Sequence, residues 1–410
     1  MNEIILINIS GEDKPGLTSS ITGILAHYDA NILDIGQAVI HNTLSLGILV
    51  EVPEESGSSP ILKEVLFKAH ELDINIRFTP VSSKKYKNWV GSQKKQKHII
   101  TLLSRKITAN QIHRVSAIIA ENNLNIEALY RLSSRVDIDD KESLSRSSVE
   151  FSVSGISINE SLMRQNFVEL ANELDIDIAF QIDNVYRRNR RLVVFDMDST
   201  LIKTEVIDEL AKEAGVEEKI STITERAMQG EMDFNESFKQ RVAMLKGLDE
   251  SVLKKISDRL PLSEGAERLV NTLKKLGYKT AILSGGFNYF GNHLKNKLGI
   301  DYVYANTLDI VDGKVTGKVI EPIVDGNRKA QLLKEIANKE NIELEQVIAV
   351  GDGANDLPML NLAGLGIAFR AKPIVKEKSK QSISQLGLDG ILYLIGVRDR
   401  DHLHEGKTSS

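Results

Sequence analysis

The stretch LVVFDMDST at residues 192–200 joins a short apolar run to two carboxylates that lie two residues apart. The run Leu192–Phe195 does not alternate with polar residues, which is typical of a strand buried on both faces of a parallel sheet. Because side-chain direction repeats every second residue in extended chain, Asp196 and Asp198 would face the same cleft. With a hard cation, one carboxylate could attack phosphorus while the other handles the proton of the leaving oxygen. A solvated turn after a strand is the alternative, because a lone D-x-D-x-T match is often a false positive.

Two more apolar runs, Thr280–Leu283 and Gln346–Val350, also end in polar or glycine-rich residues. From residue 190 onward such runs alternate with helical patterns, which predicts a mostly parallel α/β sheet with helices on both faces. Active sites of open α/β sheets lie outside the carboxyl ends of the strands. We therefore expect Asp196, Ser284 and Asp352 to lie where chemistry is built.

The residues at these strand ends suit phosphoryl transfer. Ser284-Gly285-Gly286 could hold phosphate oxygens with its hydroxyl and amides, although a plain turn explains it equally well. Lys329, near the start of a helical pattern, would offset negative charge beside a phosphorylated carboxylate, although most helix lysines are solvated. Asp352 and Asp356, in GDGAND at 351–356, offer the oxygen ligands that Mg²⁺ favours, with a glycine-rich turn as the alternative. The order and spacing of all four motifs argue against coincidence.

Together the motifs resemble those of the haloacid dehalogenase-like phosphatases, over about Arg190–Leu403. Within that superfamily the chain is similar to the phosphoserine phosphatases that carry ACT modules at the N-terminus. The resemblance implies that Asp196 is the nucleophile and forms a phosphoaspartate, while Asp198 protonates the seryl oxygen and then activates water. It implies one Mg²⁺, held by the carboxylates of Asp196 and Asp352 and the backbone carbonyl of Asp198, with Asp356 in support.

The same resemblance implies a full set of site residues. The catalytic residues would be Asp196, Asp198 and Lys329, and the metal-binding residues Asp196, Asp198, Asp352 and Asp356. The substrate-binding residues would be Glu205, Met228, Phe234, Arg241, Ser284, Gly285, Lys329 and Asn355.

A helical cap is predicted at about residues 203–262, where apolar positions recur at helical spacing and a lid over the cleft would grow. Phosphoserine presents an ammonium and a carboxylate beside its phosphate, so discrimination requires one acid and one base inside the lid. We expect Glu205 to bind the ammonium and Arg241 the carboxylate. A solvated helix charge is the commoner fate of either residue alone, and only the resemblance favours the binding role.

The first 185 residues repeat one pattern twice, strand-helix-strand-strand-helix-strand, which is the split βαβ arrangement of ferredoxin-like modules. We expect a first ACT-like module at residues 1–83, a basic, solvated linker at 84–97 and a second ACT-like module at 98–186. The phosphatase domain would follow at 187–403, with a disordered tail at 404–410.

Asp13-Lys14-Pro15-Gly16-Leu17, at the first strand-to-helix turn, is similar to the signature of ACT modules, which commonly bind amino acids. Gly16 would let a ligand approach the backbone. The second copy has Ser104–Ile107 there and lacks both the glycine and the proline, so ligand binding is in doubt in that copy. An amino-acid effector at the first module and a purely dimerising or scaffolding role both stay open. We expect a homodimer.

Composition limits the remaining function classes. The net charge of −5 argues against general binding to nucleic acid or membrane surfaces. The absence of cysteine excludes disulfides and thiolate chemistry and fits a reducing compartment. The apolar run Ile4–Ile9 is too short for a signal peptide, and no apolar stretch reaches membrane-spanning length, so we expect a cytoplasmic protein.

The sequence thus predicts an enzyme that hydrolyses O-phospho-L-serine to L-serine and phosphate, the last step of L-serine biosynthesis by that resemblance. A phosphatase or phosphotransferase for another small phosphorylated metabolite is one alternative, and a mutase would also keep both aspartates of the first motif. A non-catalytic amino-acid sensor on an inactive phosphatase scaffold is the alternative from another class.

Overall fold

The computed structural model describes residues 2–54, 57–92, 96–135, 139, 146–155, 159–228 and 231–401. The chain forms two compact units, Met1–Lys95 and Gln96–Ser410. None of the helices in the described part of the chain has the length and apolar content that crossing a bilayer requires. The predicted tail at 404–410 lies outside the described residues.

The N-terminal unit contains an antiparallel sheet with the strand order β2-β3-β1-β4, and its apolar side chains are shared with two helices. Its elements are β1 (Glu3–Glu12), α1 (Leu17–His27), β2 (Asn31–Ile40), β3 (Thr43–Val52), α2 (Ser58–Glu71) and β4 (Ile74–Val81). Helices α1 and α2 bury Ile21 and Val65 against strand residues such as Ile7 and Ile48. The predicted ferredoxin-like order is confirmed.

One more helix, α3 (Ser83–Ser92), occupies most of the segment that the sequence marks as a basic linker. It buries none of its residues, and Trp89 remains 40% exposed with its ring 5.9 Å from that of Tyr86. The segment is therefore solvated, as expected, but it is helical, which its lysines did not indicate.

The second unit begins with another sheet of the same kind, in the order β6-β7-β5-β8. Its elements are β5 (Lys97–Ser104), α4 (Ala109–Glu121), β6 (Leu124–Arg131), β7 (Ser147–Gly155), α5 (Glu160–Leu174) and β8 (Asp177–Ile182). Helix α4 starts with a capping box, in which Thr108 accepts from the backbone N–H of Gln111 and the Gln111 side chain accepts from that of Thr108. This confirms the second repeat.

A seven-stranded sheet follows, in the order β12-β11-β10-β9-β13-β14-β15. Its strands are β9 (Leu192–Phe195), β10 (Lys279–Phe287), β11 (Tyr302–Val311), β12 (Lys314–Ile320), β13 (Val347–Gly351), β14 (Leu365–Phe369) and β15 (Gln381–Ile383). Only the β11–β12 pair in this sheet is antiparallel, and it forms a hairpin around Asp312-Gly313, a dipeptide typical of two-residue hairpin turns. The prediction of a mostly parallel sheet is confirmed.

The segment for which a helical cap is expected contains α6 (Val206–Ala214), α7 (Glu217–Met228), α8 (Phe234–Ala243) and α9 (Ser251–Ser257). Later helices cover the sheet on both faces, and they are α10 (Ala266–Lys275), α11 (Asn288–Leu298), α12 (Gly326–Lys339), α13 (Leu357–Leu362), α14 (Pro373–Lys378) and α15 (Ile391–Leu394). Alternate residues of β9 enter two different cores: Val193 and Phe195 pack with α10 and α11, while Leu192 and Val194 pack with α12. Burial on both faces explains why this strand is uniformly apolar.

The second module contacts the seven-stranded sheet through β8. The Gln381 side chain, in the edge strand β15, accepts from the backbone N–H of Phe180 at 3.0 Å and donates to the Phe180 carbonyl at 2.7 Å. Asp177, which is 3% exposed, accepts from the backbone N–H groups of Ser384 and Gln385, each at 2.8 Å. These polar contacts join the second module to the C-terminal part of the chain within one compact unit.

Candidate active site

The central strands of the sheet carry the predicted motifs to one edge. Strands β10, β9 and β13 are parallel neighbours, so their carboxyl ends lie side by side. Asp196 directly follows β9, Ser284 lies near the end of β10, and Asp352 directly follows β13. The backbone N–H of Asp196 donates to the carbonyl of Val350 at 2.9 Å, which ties the first and last motifs together.

Lys329 connects two of the carboxylates. Its Nζ lies 2.7 Å from Oδ2 of Asp196 and 2.7 Å from Oδ1 of Asp356, and the side chain is 0% exposed. Burial by itself would lower the pKa of Lys329, but the two adjacent carboxylates outweigh it and raise that pKa. The lysine is therefore a fixed positive charge, held in place from the first turn of α12, whose N-cap Asp325 accepts from the backbone N–H of Arg328.

Asp356 shapes the loop that follows β13. Its Oδ2 accepts from the backbone N–H groups of Asp352 at 3.1 Å and Gly353 at 3.0 Å, while Oδ1 accepts from Lys329. Gly351 has no room for a side chain, because a Cβ there would overlap the Asp356 carboxylate. Both oxygens of Asp356 are thus engaged by the protein, and the carboxylate holds the loop and Lys329 in register.

The carboxylates of Asp196, Asp352 and Asp356 each place an oxygen within 4.8 Å of the others. Burial, followed by the charge of Asp356, raises the pKa of Asp352 to about 7. Burial and the same neighbour raise the pKa of Asp196 well above its ordinary value, although Lys329 acts in the opposite direction. Such a cluster of hard oxygen donors with excess negative charge fits a divalent cation. Asp196 and Asp352 are close enough to share one ion, as the sequence interpretation requires.

Asp198 lies close to Asp196 and to Glu205. Its Oδ1 accepts from the backbone N–H of Val206 at 3.3 Å, at the start of the first cap helix. Burial, then the charges of Glu205 and Asp196, raise the pKa of Asp198 well above its ordinary value. A carboxyl group that holds its proton in this way can serve as a general acid. Gly286 makes room for it, because a Cβ there would lie 2.6 Å from Oδ2 of Asp198.

The loop at the end of β10 is fixed by hydrogen bonds from a buried residue, Asn306, that the sequence did not single out. Asn306, which is 1% exposed, donates from Nδ2 to the carbonyl of Gly285 at 2.8 Å and accepts at Oδ1 from the backbone N–H of Val324 at 2.8 Å. The Ser284 hydroxyl accepts from the N–H of Gly286 at 2.9 Å. A buried amide between two motifs leaves no periodic or compositional signal, so only the fold reveals it.

The cap residues lie over these groups. Glu205 accepts a hydrogen bond from the Ser199 hydroxyl at 2.6 Å. Burial lowers the pKa of Arg241, and the nearby Glu205 carboxylate acts against that shift. Phe234 stacks on Phe238 and approaches the loop of β10, where a Cβ on Gly285 would lie 3.1 Å from its ring.

The two remaining predicted substrate residues are Asn355 and Met228. Asn355 is half-buried. A Cβ on Gly326 would lie 2.5 Å from the backbone carbonyl oxygen of Asn355, so the loop after β13 packs against the start of α12. The Met228 side chain lies outside the described residues. The structure therefore brings together Asp196, Asp198, Ser284, Gly285, Lys329, Asp352 and Asp356, with Glu205, Phe234 and Arg241 on the cap side.

Comparison with known proteins shows which proteins this chain is similar to. The model of the ACT domain family matches residues 3–79, and that of the haloacid dehalogenase-like hydrolases matches residues 190–364. A phosphoserine phosphatase from Streptomyces coelicolor is 38% identical over 96% of this chain and 92% of its own length. The phosphoserine phosphatase SerB2 from Mycobacterium tuberculosis is 35% identical over 96% of this chain and 93% of its own. The chain belongs to the phosphoserine phosphatase family.

Solved structures agree with this family assignment. A probable phosphoserine phosphatase from Vibrio cholerae matches with a TM-score of 0.59 and 34% identity, covering 75% of this chain and 88% of that one. A haloacid dehalogenase-family hydrolase from Salmonella enterica matches with a TM-score of 0.62 and 34% identity, covering 74% and 100%. The chain is therefore a phosphatase-family enzyme of the haloacid dehalogenase-like type, with ACT-like modules before its core.

Proposed function

We propose that this protein hydrolyses O-phospho-L-serine to L-serine and phosphate, as the last step of L-serine biosynthesis. The observation that carries the proposal is the position of Asp196, at the carboxyl edge of the sheet. Its carboxylate lies beside Lys329 and has an oxygen within 4.8 Å of one Asp352 oxygen. The names of the full-length relatives support the choice of substrate.

The proposed reaction has two displacements at phosphorus. In the first, Oδ of Asp196 attacks, the bond from phosphorus to the seryl oxygen breaks, and Asp198 gives that oxygen its proton. In the second, Asp198 takes a proton from water, whose oxygen attacks the phosphoaspartate and releases phosphate and free Asp196. Lys329 supplies a fixed positive charge beside the nucleophile throughout.

We also propose Mg²⁺ as the cofactor. Asp196 and Asp352 would hold it, with Asp198 contributing its backbone carbonyl, and Asp356 would fix the loop that carries Asp352. When bound, the ion reduces the repulsion between the carboxylates and the incoming phosphate. Burial and then the charge of Asp356 raise the pKa of Asp352 to about 7, and a cation at this position would offset that cost, which supports the assignment.

Substrate selection is proposed to come from the cap and the loop of β10. Glu205 would accept the ammonium group, and Arg241 would pair with the carboxylate of the substrate. Phe234, with Met228, would line the pocket. Ser284, Gly285 and Asn355 would hold phosphate oxygens, the first two from the loop whose geometry Asn306 fixes.

Phosphate release from L-phosphoserine tests the proposal directly. We expect turnover with Mg²⁺, none with EDTA, and none for Asp196→Asn; Asp312→Asn, which removes an exposed aspartate at the β11–β12 turn, should retain full activity. Phosphothreonine, phosphoethanolamine and sugar phosphates serve as competing substrates. Faster turnover of one of these would replace the substrate assignment, and an inert protein would favour the sensor alternative.

For the first ACT-like module we propose an amino-acid effector and a role in a homodimer. Gly16 has φ 85° at the start of α1, and no atom lies within 4 Å of the position of its missing Cβ, so a ligand could approach the backbone there. Calorimetric titration of the full chain with glycine, compared with Gly16→Val, tests the effector; no heat at millimolar glycine would contradict it. Sedimentation equilibrium tests the dimer.

A further inference from the structure

The cap meets the phosphatase core at a cap–core interface, formed by α8 and the turn after it on one side and by β12 and the segment before α12 on the other. The backbone N–H of Gly247 donates to the carbonyl of Val315 at 2.8 Å, and that of Val315 donates to the carbonyl of Leu248 at 2.9 Å. The backbone N–H of Glu250 donates to the carbonyl of Gly313 at 2.8 Å. These three backbone bonds fix the later part of the cap to the β11–β12 hairpin.

Helix α8 extends this interface toward the active site. A Cβ on Gly317 would lie 3.2 Å from the carbonyl oxygen of Ala243, so the end of the helix packs closely on β12. One turn earlier, Lys239 pairs with Glu321 at 2.7 Å, but the two side chains are 55% and 61% exposed, so this ion pair contributes little stability. The first turn of α8 therefore lies next to the segment that leads into α12.

That first turn makes the last contact of the interface. Nδ2 of Asn235 donates to Oδ2 of Asp325 at 3.5 Å, while Oδ1 of Asp325 accepts from the backbone N–H of Arg328 at 2.8 Å. The carbonyl of Asp325 accepts from the backbone N–H of Lys329 at 2.9 Å. Asp325 thus joins the cap to the helical turn that carries the buried lysine, and Asn235 directly follows Phe234, which approaches the loop of β10.

The surroundings of Asn235 favour a role for this hydrogen bond. The residue is half-buried, and its Oδ1 is buried with no hydrogen-bond partner in the part of the chain that the structure describes. Because a carboxylate only accepts, the amide must turn its NH₂ group toward Asp325 and leave Oδ1 unpaired inside the interface. An unpaired buried acceptor is unfavourable, so an apolar residue would serve better for packing alone. What asparagine adds at this position is the bond to Asp325.

We propose that Asn235 is a positioning residue that holds the cap closed over the cleft by donating to Asp325. The inference rests on the proposed function, since it concerns how that active site closes. The bond keeps Phe234 against the loop of β10 and relates the cap to the turn that carries Lys329, so that substrate and nucleophile meet in one arrangement. Asn235 acts only through these neighbours.

This role predicts a separation between KM and kcat. Weakening the bond lowers the fraction of molecules in which the cap is closed, and the apparent affinity for substrate falls by the same factor. Saturating substrate restores closure, so kcat changes little. Partial unfolding of a variant has the opposite signature, because inactive molecules lower the apparent kcat and leave KM unchanged.

Matched variants test the proposal. Asn235→Asp places a second carboxylate against Asp325, across the interface. The control Gln240→Glu makes the same chemical change on the same helix, because Gln240 donates to the Glu236 carboxylate at 3.3 Å, within α8. The double variant Asn235→Asp/Asp325→Asn exchanges donor and acceptor, and asparagine remains a good N-cap for α12.

We expect Asn235→Asp to raise KM for phosphoserine about tenfold and to change kcat by less than about twofold. The control should change KM by less than about twofold, and the double variant should return KM to within about threefold of the wild type. An unchanged KM in Asn235→Asp, an equal rise in the control, or no recovery in the double variant would each overturn the proposal.

Amide hydrogen exchange of α8 in the full chain without substrate gives a readout that does not depend on turnover. Asn235→Asp and the double variant carry the same residue at position 235, so the intrinsic helix preference of that residue cancels between them. We expect faster exchange in the single variant, and equal exchange in the two would contradict the positioning role. If the wild type does not hydrolyse phosphoserine while this difference is present, the substrate assignment fails and the positioning role stands.

Discussion

Replacing Asp356 by asparagine should destabilise the phosphatase core far more than its small change in shape suggests. One oxygen of Asp356 accepts from Lys329 at 2.7 Å, and the other accepts from the backbone N–H groups of Asp352 and Gly353. Asparagine has one acceptor oxygen and one NH₂ group. Whichever way the amide is turned, its NH₂ group therefore faces either the lysine ammonium or the two backbone donors.

The magnitude follows from the burial of these groups. Asp356 and Lys329 are both 0% exposed, so neither can replace a lost partner with water. Loss of one partner of a buried ion pair costs about 3–5 kcal/mol. Lys329 keeps Asp196 as a second partner, and loss of the Asp356 charge also relieves its repulsion with Asp196 and Asp352, so the lower half of that range is expected. We expect the free energy of unfolding to fall by about 3–4 kcal/mol.

A matched control is Asp352→Asn, on the same loop and in the same cluster. From the described residues, the Asp352 side chain accepts one hydrogen bond, from the Thr200 hydroxyl at 3.0 Å. Burial and then the charge of Asp356 raise its pKa to about 7. Removing that charge relieves repulsion, so in EDTA this variant should be as stable as the wild type or slightly more stable. Both variants should lose phosphatase activity with Mg²⁺ present.

The assay is urea unfolding in EDTA followed by far-ultraviolet circular dichroism. Fluorescence of the single tryptophan is unsuitable, because Trp89 lies in the N-terminal unit and not in the phosphatase core. Hydrogen exchange at the amides of Asp352 and Gly353 gives a local readout, and should accelerate only in Asp356→Asn. Equal unfolding free energies for the two variants would refute the reasoning, since it assigns a structural role to one carboxylate and not to the other.

Other positions give independent tests. Asn306→Leu should lower the free energy of unfolding by about 2–5 kcal/mol and reduce kcat, because it leaves two buried backbone groups unpaired. The control Asn288→Ala loses one half-buried hydrogen bond, so its free energy of unfolding in urea should fall by only about 1 kcal/mol. Ser199→Ala should raise KM for phosphoserine about fivefold with a smaller change in kcat, because Glu205 loses its hydrogen bond; an unchanged KM would contradict this. Burial raises the pKa of Asp177 to about 6, above the value in the unfolded chain. The protonated Asp177 therefore contributes stability that is fully present below about pH 4 and is lost as the pH rises toward 6. Between those pH values, urea unfolding should show wild type losing about 3 kcal/mol that Asp177→Asn does not lose.

The strands and motifs were predictable because each depends on local pattern. A strand buried on both faces must be apolar throughout, and Leu192–Phe195 shows that in four residues. Parallel neighbours bring their carboxyl ends together without further information, so Asp196 and Asp352 could be paired from their places in the chain. The ACT-like repeats were predictable for the same reason, from two copies of one alternation of strands and helices.

Other features depend on contacts between distant segments, which local pattern does not encode. Asn306 acquires its role only when β11 lies beside the loop of β10, and the buried Arg187 pairs with Glu150, which lies 37 residues earlier in the chain. Asp356 was expected to support the metal, and its carboxylate lies in the cluster that could hold one. That its two oxygens also hold Lys329 and the loop backbone is revealed only by the geometry. Helix α3 was missed because its lysines and serines resemble a linker, and it buries no face that would give a periodic pattern.

The contact of Gln381 with Phe180 bears on where this chain can be cut. The amide of Gln381 bonds both polar groups of the Phe180 backbone, and so covers the last strand of the seven-stranded sheet with β8 of the second module. A fragment starting near residue 187 would leave that strand as a bare edge, open to pairing with another molecule, and would strip Asp177 from the amides of Ser384 and Gln385. A fragment starting near residue 96 preserves all of these bonds, and is the shorter piece worth expressing.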